Sequence, residues 1–239
     1  LFLLLASFSF LSRLLGDAFL PHLAPYGGDY FSFVLVGVAL GSYNTLSLHV
    51  FGQTIRRAQV NGTLEAVLST RTSLPTVVLS SSLYSFALGT LHVVAYLVAG
   101  VVVFGAQVGG GNTLGAGLAL LLTVLSTAGL GVMAASFTLV TKQGDPLTLL
   151  LNSGTWLLSG VLYPTAVLPA ALQPVAALLP MTYGLEAMRQ ALLQGAPLGQ
   201  MAPQLGTLAL FAAVLLPAGL LAFRYAVYRA RLDGSLGHY

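Results

Sequence analysis

Apolar runs of about 20 residues, repeated along the chain and parted by short polar breaks, constrain this sequence more than any other feature. That is the length a helix needs to cross the ~30 Å hydrocarbon core of a bilayer. Inside lipid every backbone N–H and C=O must be satisfied within the protein, so such runs fold as helices. Six are expected, over about 1–20, 30–52, 76–104, 114–140, 147–163 and 205–225. Only 6% of the 239 residues are charged, against about 25% in a soluble domain. Mean hydropathy is +0.89. The chain reads as an all-α polytopic membrane protein, a single transmembrane domain over 1–239 with six transmembrane helices.

The breaks between runs carry the remaining information. Pro21–Asp29, rich in Pro and Gly, is a loop, and Gly105–Thr113 with its Gly109-Gly-Gly111 is a flexible turn. Between the second and third runs lies a polar island, Gln59–Arg71. Asn61 or Thr63 suits a helix N-cap there, and Glu65 would then meet the positive end of the helix dipole. Leu64, Val67 and Leu68 fall on one face, the pattern of a short amphipathic helix at a membrane surface. An ordinary loop is the alternative. Between the fifth and sixth runs, 164–203, five prolines (Pro164, Pro169, Pro174, Pro180 and Pro197) divide the chain into pieces too short to span. Two short helices, Pro169–Leu179 and Thr182–Leu193, are expected there as a hairpin at the membrane surface or dipping into it.

Charge orients the set. With the island on one side, Arg56, Arg57, Arg71, Lys142, Arg224, Arg229 and Arg231 gather there, leaving Arg13 and Arg189 opposite. The basic side is expected to be cytoplasmic, with both termini, and the hairpin to face outward. The chain opens on Leu-Phe-Leu-Leu-Leu without a charged leader, which does not read as a signal peptide; a trimmed N-terminus is expected.

Several chemistries are excluded by content. There is no cysteine, and the single lysine, Lys142, is followed by Gln143 with no upstream GxxxxG, so no P-loop exists. His22, His49, His92 and His238 have no partner at metal-ligand spacing. Apart from Asp17 at the end of the first run, the spans hold no acid for a triad or a proton relay, and the few basic residues offer no nucleic-acid surface. Asn61-Gly-Thr63 matches a glycosylation sequon but falls on the side expected to be cytoplasmic. What remains within the spans is Asn44, His49, His92, Asn152 and Trp156 as candidate pathway-lining residues. Polar groups in lipid are functional candidates by default, although an interhelical hydrogen bond worth about 0.6 kcal/mol explains many of them. Gly37 and Gly41 form a small-xxx-small face suited to close helix contact. Glu186 and Arg189, three residues apart on the second hairpin helix, are placed to pair.

Two stretches resemble the membrane subunits of type-2 ABC exporters, which include drug-resistance and nodulation-factor export permeases. Asn61-Gly-Thr-Leu-Glu-Ala-Val-Leu-Ser-Thr70 is similar to that family's G-T-L-E-x-L-L-x-T-P segment, with Arg71 where proline is usual. Ser159-Gly-Val-Leu-Tyr-Pro164, Leu168-Pro169, Leu179-Pro-Met-Thr-Tyr-Gly-Leu-Glu-Ala-Met-Arg189 and Gly195 resemble its second signature. The resemblance implies a permease that dimerises with a second copy or a paralogue and docks separate ABC ATPase subunits. ATP and Mg would then be bound by the partner, leaving no cofactor in this chain. It further implies a coupling helix at about 61–71, with Asn61, Gly62, Thr63, Leu64, Glu65, Leu68 and Arg71 meeting the ATPase. The hairpin would serve as an extracellular gate through Pro164, Pro180, Tyr183, Glu186 and Arg189, and Gly37 and Gly41 would contribute to the dimer face. The expected location is the inner or plasma membrane, and the cargo hydrophobic or amphiphilic: a drug, a lipid or a glycan-linked compound. The alternatives are an ATPase-independent secondary transporter or channel with an ion or proton site at Asn44, His49 or His92, and a non-transporting scaffold.

Overall fold

The computed structural model describes residue 3, residues 5–12, residues 23 and 26, and residues 29–60, 74–108, 111–141 and 146–232. Among these residues every regular element is helical. Residues 5–12 form a leading helical stretch. The helices that follow are α1 (Tyr30–Val60), α2 (Leu74–Phe104), α3 (Thr113–Thr141) and α4 (Pro146–Leu158). A 3₁₀ turn at Thr165–Val167 then leads to α5 (Gln173–Ala177), α6 (Pro180–Leu192) and α7 (Leu198–Leu232).

Helix starts follow local chemistry. The Asp29 carboxylate accepts from the backbone N–H of Phe31 and Ser32 at 3.2 and 3.1 Å, capping α1. Asn112 caps α3 by accepting from Gly115 N–H at 2.8 Å, while its amide donates to the Ala196 carbonyl at 2.6 Å and ties α3 to the start of α7. Pro180 opens α6, where a missing N–H costs nothing.

Four helical stretches among the described residues are long and apolar enough to cross a membrane: Tyr30–Arg57, Ser82–Phe104, Thr113–Leu139 and Leu198–Arg229. They fall on the expected runs 30–52, 76–104, 114–140 and 205–225. The expected first span, 1–20, is described only at residue 3 and residues 5–12. The run expected at 147–163 is helical only over the 13 residues of α4, about 20 Å of rise. It stops because Gly160 turns into the left-handed region (φ 82°) and Pro164 follows. The first hairpin helix is shorter than expected, Gln173–Ala177, the second, Pro180–Leu192, starts two residues early, and 198–203 belong to α7 rather than to the hairpin. Pro203 lies inside α7, and the helix continues through it as it does through Pro217.

Burial ranks the long helices. In the apolar window of α1, 83% of residues are buried, against 17% in α2 and in α7. So α1 is the central post, and α2 and α7 present Leu91, Val98, Val102, Leu210, Val214 and Leu221 outward. The tightest pairing joins α3 to α7, where Gly129 and Gly219 face each other; a Cβ on Gly219 would lie 2.6 Å from the Gly129 carbonyl oxygen. One apolar cluster unites Ile55, Leu139, Ala226 and Val227, so the C-terminal ends of α1, α3 and α7 share one end of the bundle. Arg56, Arg57, Arg224 and Arg229 therefore lie at that end. α2 and α4 run the other way: Tyr43 of α1 donates to the Phe86 carbonyl of α2 at 2.9 Å, and Ser32 near the start of α1 accepts from Gln107 N–H at 2.8 Å. The segment 160–196 packs at the N-terminal end of α1, opposite the arginines.

Candidate functional site

At that opposite end the structure solves a backbone problem. Where α4 stops, the carbonyls of Gly160 and Val161 have no helical partner, and non-helical backbone at membrane depth survives only when protein covers it. Arg189 of α6, 3% exposed, supplies the cover. Its Nη2 donates toward the carbonyl oxygens of Gly160 (2.9 Å), Val161 (3.2 Å) and Phe33 (3.3 Å). That nitrogen carries only two N–H bonds, so at least one is shared. A cation at the C-terminal end of α4 also meets the negative end of its dipole. The guanidinium lies 3.4 Å from the centroid of the Phe33 ring, a cation–π contact. Gly37 makes the approach possible: a methyl there would overlap the Val161 carbonyl and come within 3.0 Å of Arg189 Nη2.

Tyr26 completes the cage. Its hydroxyl donates to Glu186 Oε2 at 2.7 Å, its ring packs edge-on to Phe33 at 5.1 Å, and it sits 6.0 Å from the guanidinium. Burial first, and then the Glu186 carboxylate, push the Tyr26 phenol up, so it stays protonated and donates. Burial pushes Arg189 down to about 9, with Tyr26 and Glu186 pulling the other way, so it remains a cation at neutral pH. Glu186 and Arg189 do not form the expected direct ion pair. They share Tyr26, and Glu186 also accepts from Gln190 Nε2 at 3.2 Å. Arginine has turned inward onto carbonyls that would otherwise be buried without a donor.

A cavity of about 380 Å³ adjoins the cage, lined by Tyr26, Ser159, Pro164, Tyr183, Glu186 and Arg189 together with Thr182 and Gln204. Ser159 Oγ, Arg189 Nε and Gln204 Oε1 are buried there without a hydrogen-bond partner among the described residues. Thr182 and Tyr183 donate to the carbonyls of Ala176 and Ala177 at 2.7 and 3.1 Å, fastening α6 to α5. Gly195, at φ 64°, ends the unit with a left-handed turn closed by Ala196 N–H to the Gln190 carbonyl at 2.9 Å. Of the gate candidates, Pro164, Tyr183, Glu186 and Arg189 line this cavity, and Pro180 sits beside it as the first residue of α6.

A second and larger space, about 580 Å³, runs between α1 and α2. The lining stripe on α1 is Ser42, Leu46, His49, Gln53 and Arg57, with Thr45 and Thr54 beside it; on α2 it is Ser85, Gly89, His92 and Tyr96. Both stripes repeat every three to four residues, one helical face each. Two pathway candidates, His49 and His92, therefore share this groove. Asn152 and Trp156 stand behind it. Trp156 Nε1 donates to Thr45 Oγ1 at 3.1 Å, and Thr45 lies 2.9 Å from Asn152 Oδ1, an interhelical hydrogen-bond set joining α1 to α4. Asn44 is buried away from the groove lining, with its Nδ2 unpartnered among the described residues.

The order and spacing of these elements now stand beside known proteins. The chain matches the family model described as ABC-2 type transporter over residues 2–193. It belongs to that family. No curated protein matches the chain. The ABC-2 match covers most of the chain, from the leading helical stretch through α6, and ends shortly before Gly195 and α7. As an ABC-2 membrane domain the chain is a membrane-embedded permease component of a transporter rather than a catalytic ATPase.

The ABC-2 segment expected to meet an ATPase (Asn61, Gly62, Thr63, Leu64, Glu65, Leu68 and Arg71) lies outside the described residues, as does Lys142. Gly37 and Gly41 do not form a free dimer face: both are buried, Gly37 against Val161 and Arg189, and Gly41 against the Trp156 ring, 3.1 Å from where its Cβ would stand. Close approach was the right reading of that motif, but its partners are this chain's own α4, the turn after it and α6. Tyr26, Asn112 and Thr45 escaped the sequence reading, and Ser159 entered it only as the first residue of the Ser159–Pro164 signature. Asn112 directly before an apolar run carried an N-cap signal; the other three become visible only once α1, α4 and α6 are brought together.

Proposed function

We propose that the chain is the permease subunit of an ATP-driven exporter, forming the translocation path for a hydrophobic or amphiphilic substrate. A separate ABC ATPase binds ATP and Mg and drives it, and a second permease copy or paralogue completes the path. The single transmembrane domain sits in the inner or plasma membrane with its basic end and both termini in the cytoplasm. The observation that carries this reading is the gathering of Arg56, Arg57, Arg224 and Arg229 at one end of the bundle, as the positive-inside rule requires of a cytoplasmic face. α1 ends and α2 begins at that end, so the chain between Val60 and Leu74 leaves and returns there. That supports a role for Asn61–Arg71 as the coupling segment. The unit around Arg189, at the other end, serves as the outer gate.

The test is ATP hydrolysis by a candidate partner ATPase, reconstituted in lipid with this permease or with its Glu65→Arg form. Copurification with stimulated hydrolysis that the reversal weakens is expected. Absence of association with every ATPase tried would overturn the exporter reading.

A further inference from the structure

We infer that the groove between α1 and α2 receives the acid headgroup of an anionic amphiphile. This deepens the exporter reading, on which its role as a cargo site rests, by naming the class of cargo.

The first support is the sign of the charge. Among the described residues the groove is lined by Arg57, His49 and His92 and by no carboxylate. Its other titratable groups are the phenols of Tyr43 and Tyr96. A cleft with one sign of charge and low-dielectric walls concentrates ions of the other sign. The second support is that these groups have no partner among the described residues. Arg57, Gln53, His49 and His92 make no hydrogen bond or ion pair among the described residues. By contrast, Arg189 Nη2 and the Thr45–Asn152–Trp156 set are absorbed by backbone carbonyls or by one another, while single atoms such as Asn44 Nδ2 and Ser159 Oγ are also unpartnered among the described residues.

Position supplies the third. Arg57, Gln53 and His49 are spaced four residues apart, so donors recur about every 6 Å along α1, from the arginine-bearing end of the bundle inward. An anionic lipid headgroup lies at that interface, and Arg57 is where it would first be met. The walls are apolar as well as polar: Leu46, Val50, Tyr43 and Tyr96 flank the donors, and α2 beyond them turns Leu83, Leu91 and Val94 outward. A tail thus has an apolar way out beside a polar seat for the head. At about 580 Å³ the space falls in the ~300–1,000 Å³ range of small-molecule sites.

The experiment uses the full chain in nanodiscs of neutral lipid. Two photoactivatable diazirine probes share the same tails, one a phosphatidic acid and the other a phosphatidylcholine, and labelled peptides are mapped by mass spectrometry. Labelling of 42–57 and 85–96 by the acid probe is expected to exceed that by the choline probe about tenfold, the scale of one charge-assisted hydrogen bond. Arg57→Gln is expected to remove most of that preference, His49→Gln part of it, and Arg224→Gln, outside the groove, none. Equal labelling by the two headgroups, or a preference that survives Arg57→Gln, would overturn the inference. Displacement of the acid probe by millimolar inorganic phosphate alone would overturn it in favour of a free anion. Partner-stimulated ATP hydrolysis is read on the same preparations. Stimulation without headgroup preference sinks the headgroup site and leaves the exporter standing; preference without any ATPase association does the reverse.

Discussion

The two polar regions of this protein use their polar groups in opposite ways. Around Arg189 a buried cation meets three carbonyl oxygens and an aromatic face, and its neighbours Tyr26, Glu186 and Gln190 are bonded to one another. Between α1 and α2, Arg57, Gln53, His49 and His92 line a larger space and bond to nothing among the described residues. In a medium without water, a polar group that the fold has absorbed is holding the fold. A group left spare beside a cavity is available to something that arrives. The same residue type, arginine, does both jobs here, and its surroundings decide which.

The sharpest way to break that contrast is Arg189→Leu. It strands the carbonyls of Gly160 and Val161, and a loss on the order of 3 kcal/mol is expected, seen as a fall in the monodisperse fraction on heating in detergent. Arg57→Gln in the groove should leave that melting profile within about 0.5 kcal/mol of the parent. Next comes Gly37→Ala, which forces the Val161 turn away from α1 at an expected cost of about 1–3 kcal/mol. Its control is Gly117→Ala, where a Cβ meets nothing within 4 Å; there the helix should gain up to ~1 kcal/mol. Tyr26→Phe removes one hydroxyl from Glu186 and should cost about 1 kcal/mol in the same assay. Smallest in stability is His92→Ala, an exposed position expected within about 0.5 kcal/mol of the parent, while partner-stimulated hydrolysis or probe labelling changes. If His92→Ala melted the protein as severely as Arg189→Leu, the division between absorbed and spare groups would be wrong.

The long helices were legible because lipid demands one thing of a spanning segment, and α1, α2, α3 and α7 satisfy it by composition alone. The hairpin's order of short pieces was legible from its prolines. Its boundaries were not, since α7 begins at Leu198 and runs on through Pro203, inside the stretch assigned to the hairpin. Arg189 reads in the sequence as the partner of Glu186, because its acceptors are backbone carbonyls up to 156 positions away, and a carbonyl has no letter in a sequence. The pairing of His49 with His92 in one groove was hidden for a related reason. Each lies on its own helix face, and only the antiparallel register of α1 and α2 brings those faces together.

The arrangement at Arg189 also sets an order of events during synthesis. The Val161 carbonyl is made 28 residues before the guanidinium that covers it, and the Phe33 carbonyl 156 residues before. At about 5–20 residues per second, the end of α4 waits a few seconds at the translocation machinery before its cover exists. A chain ending between those two points carries the turn without its cover.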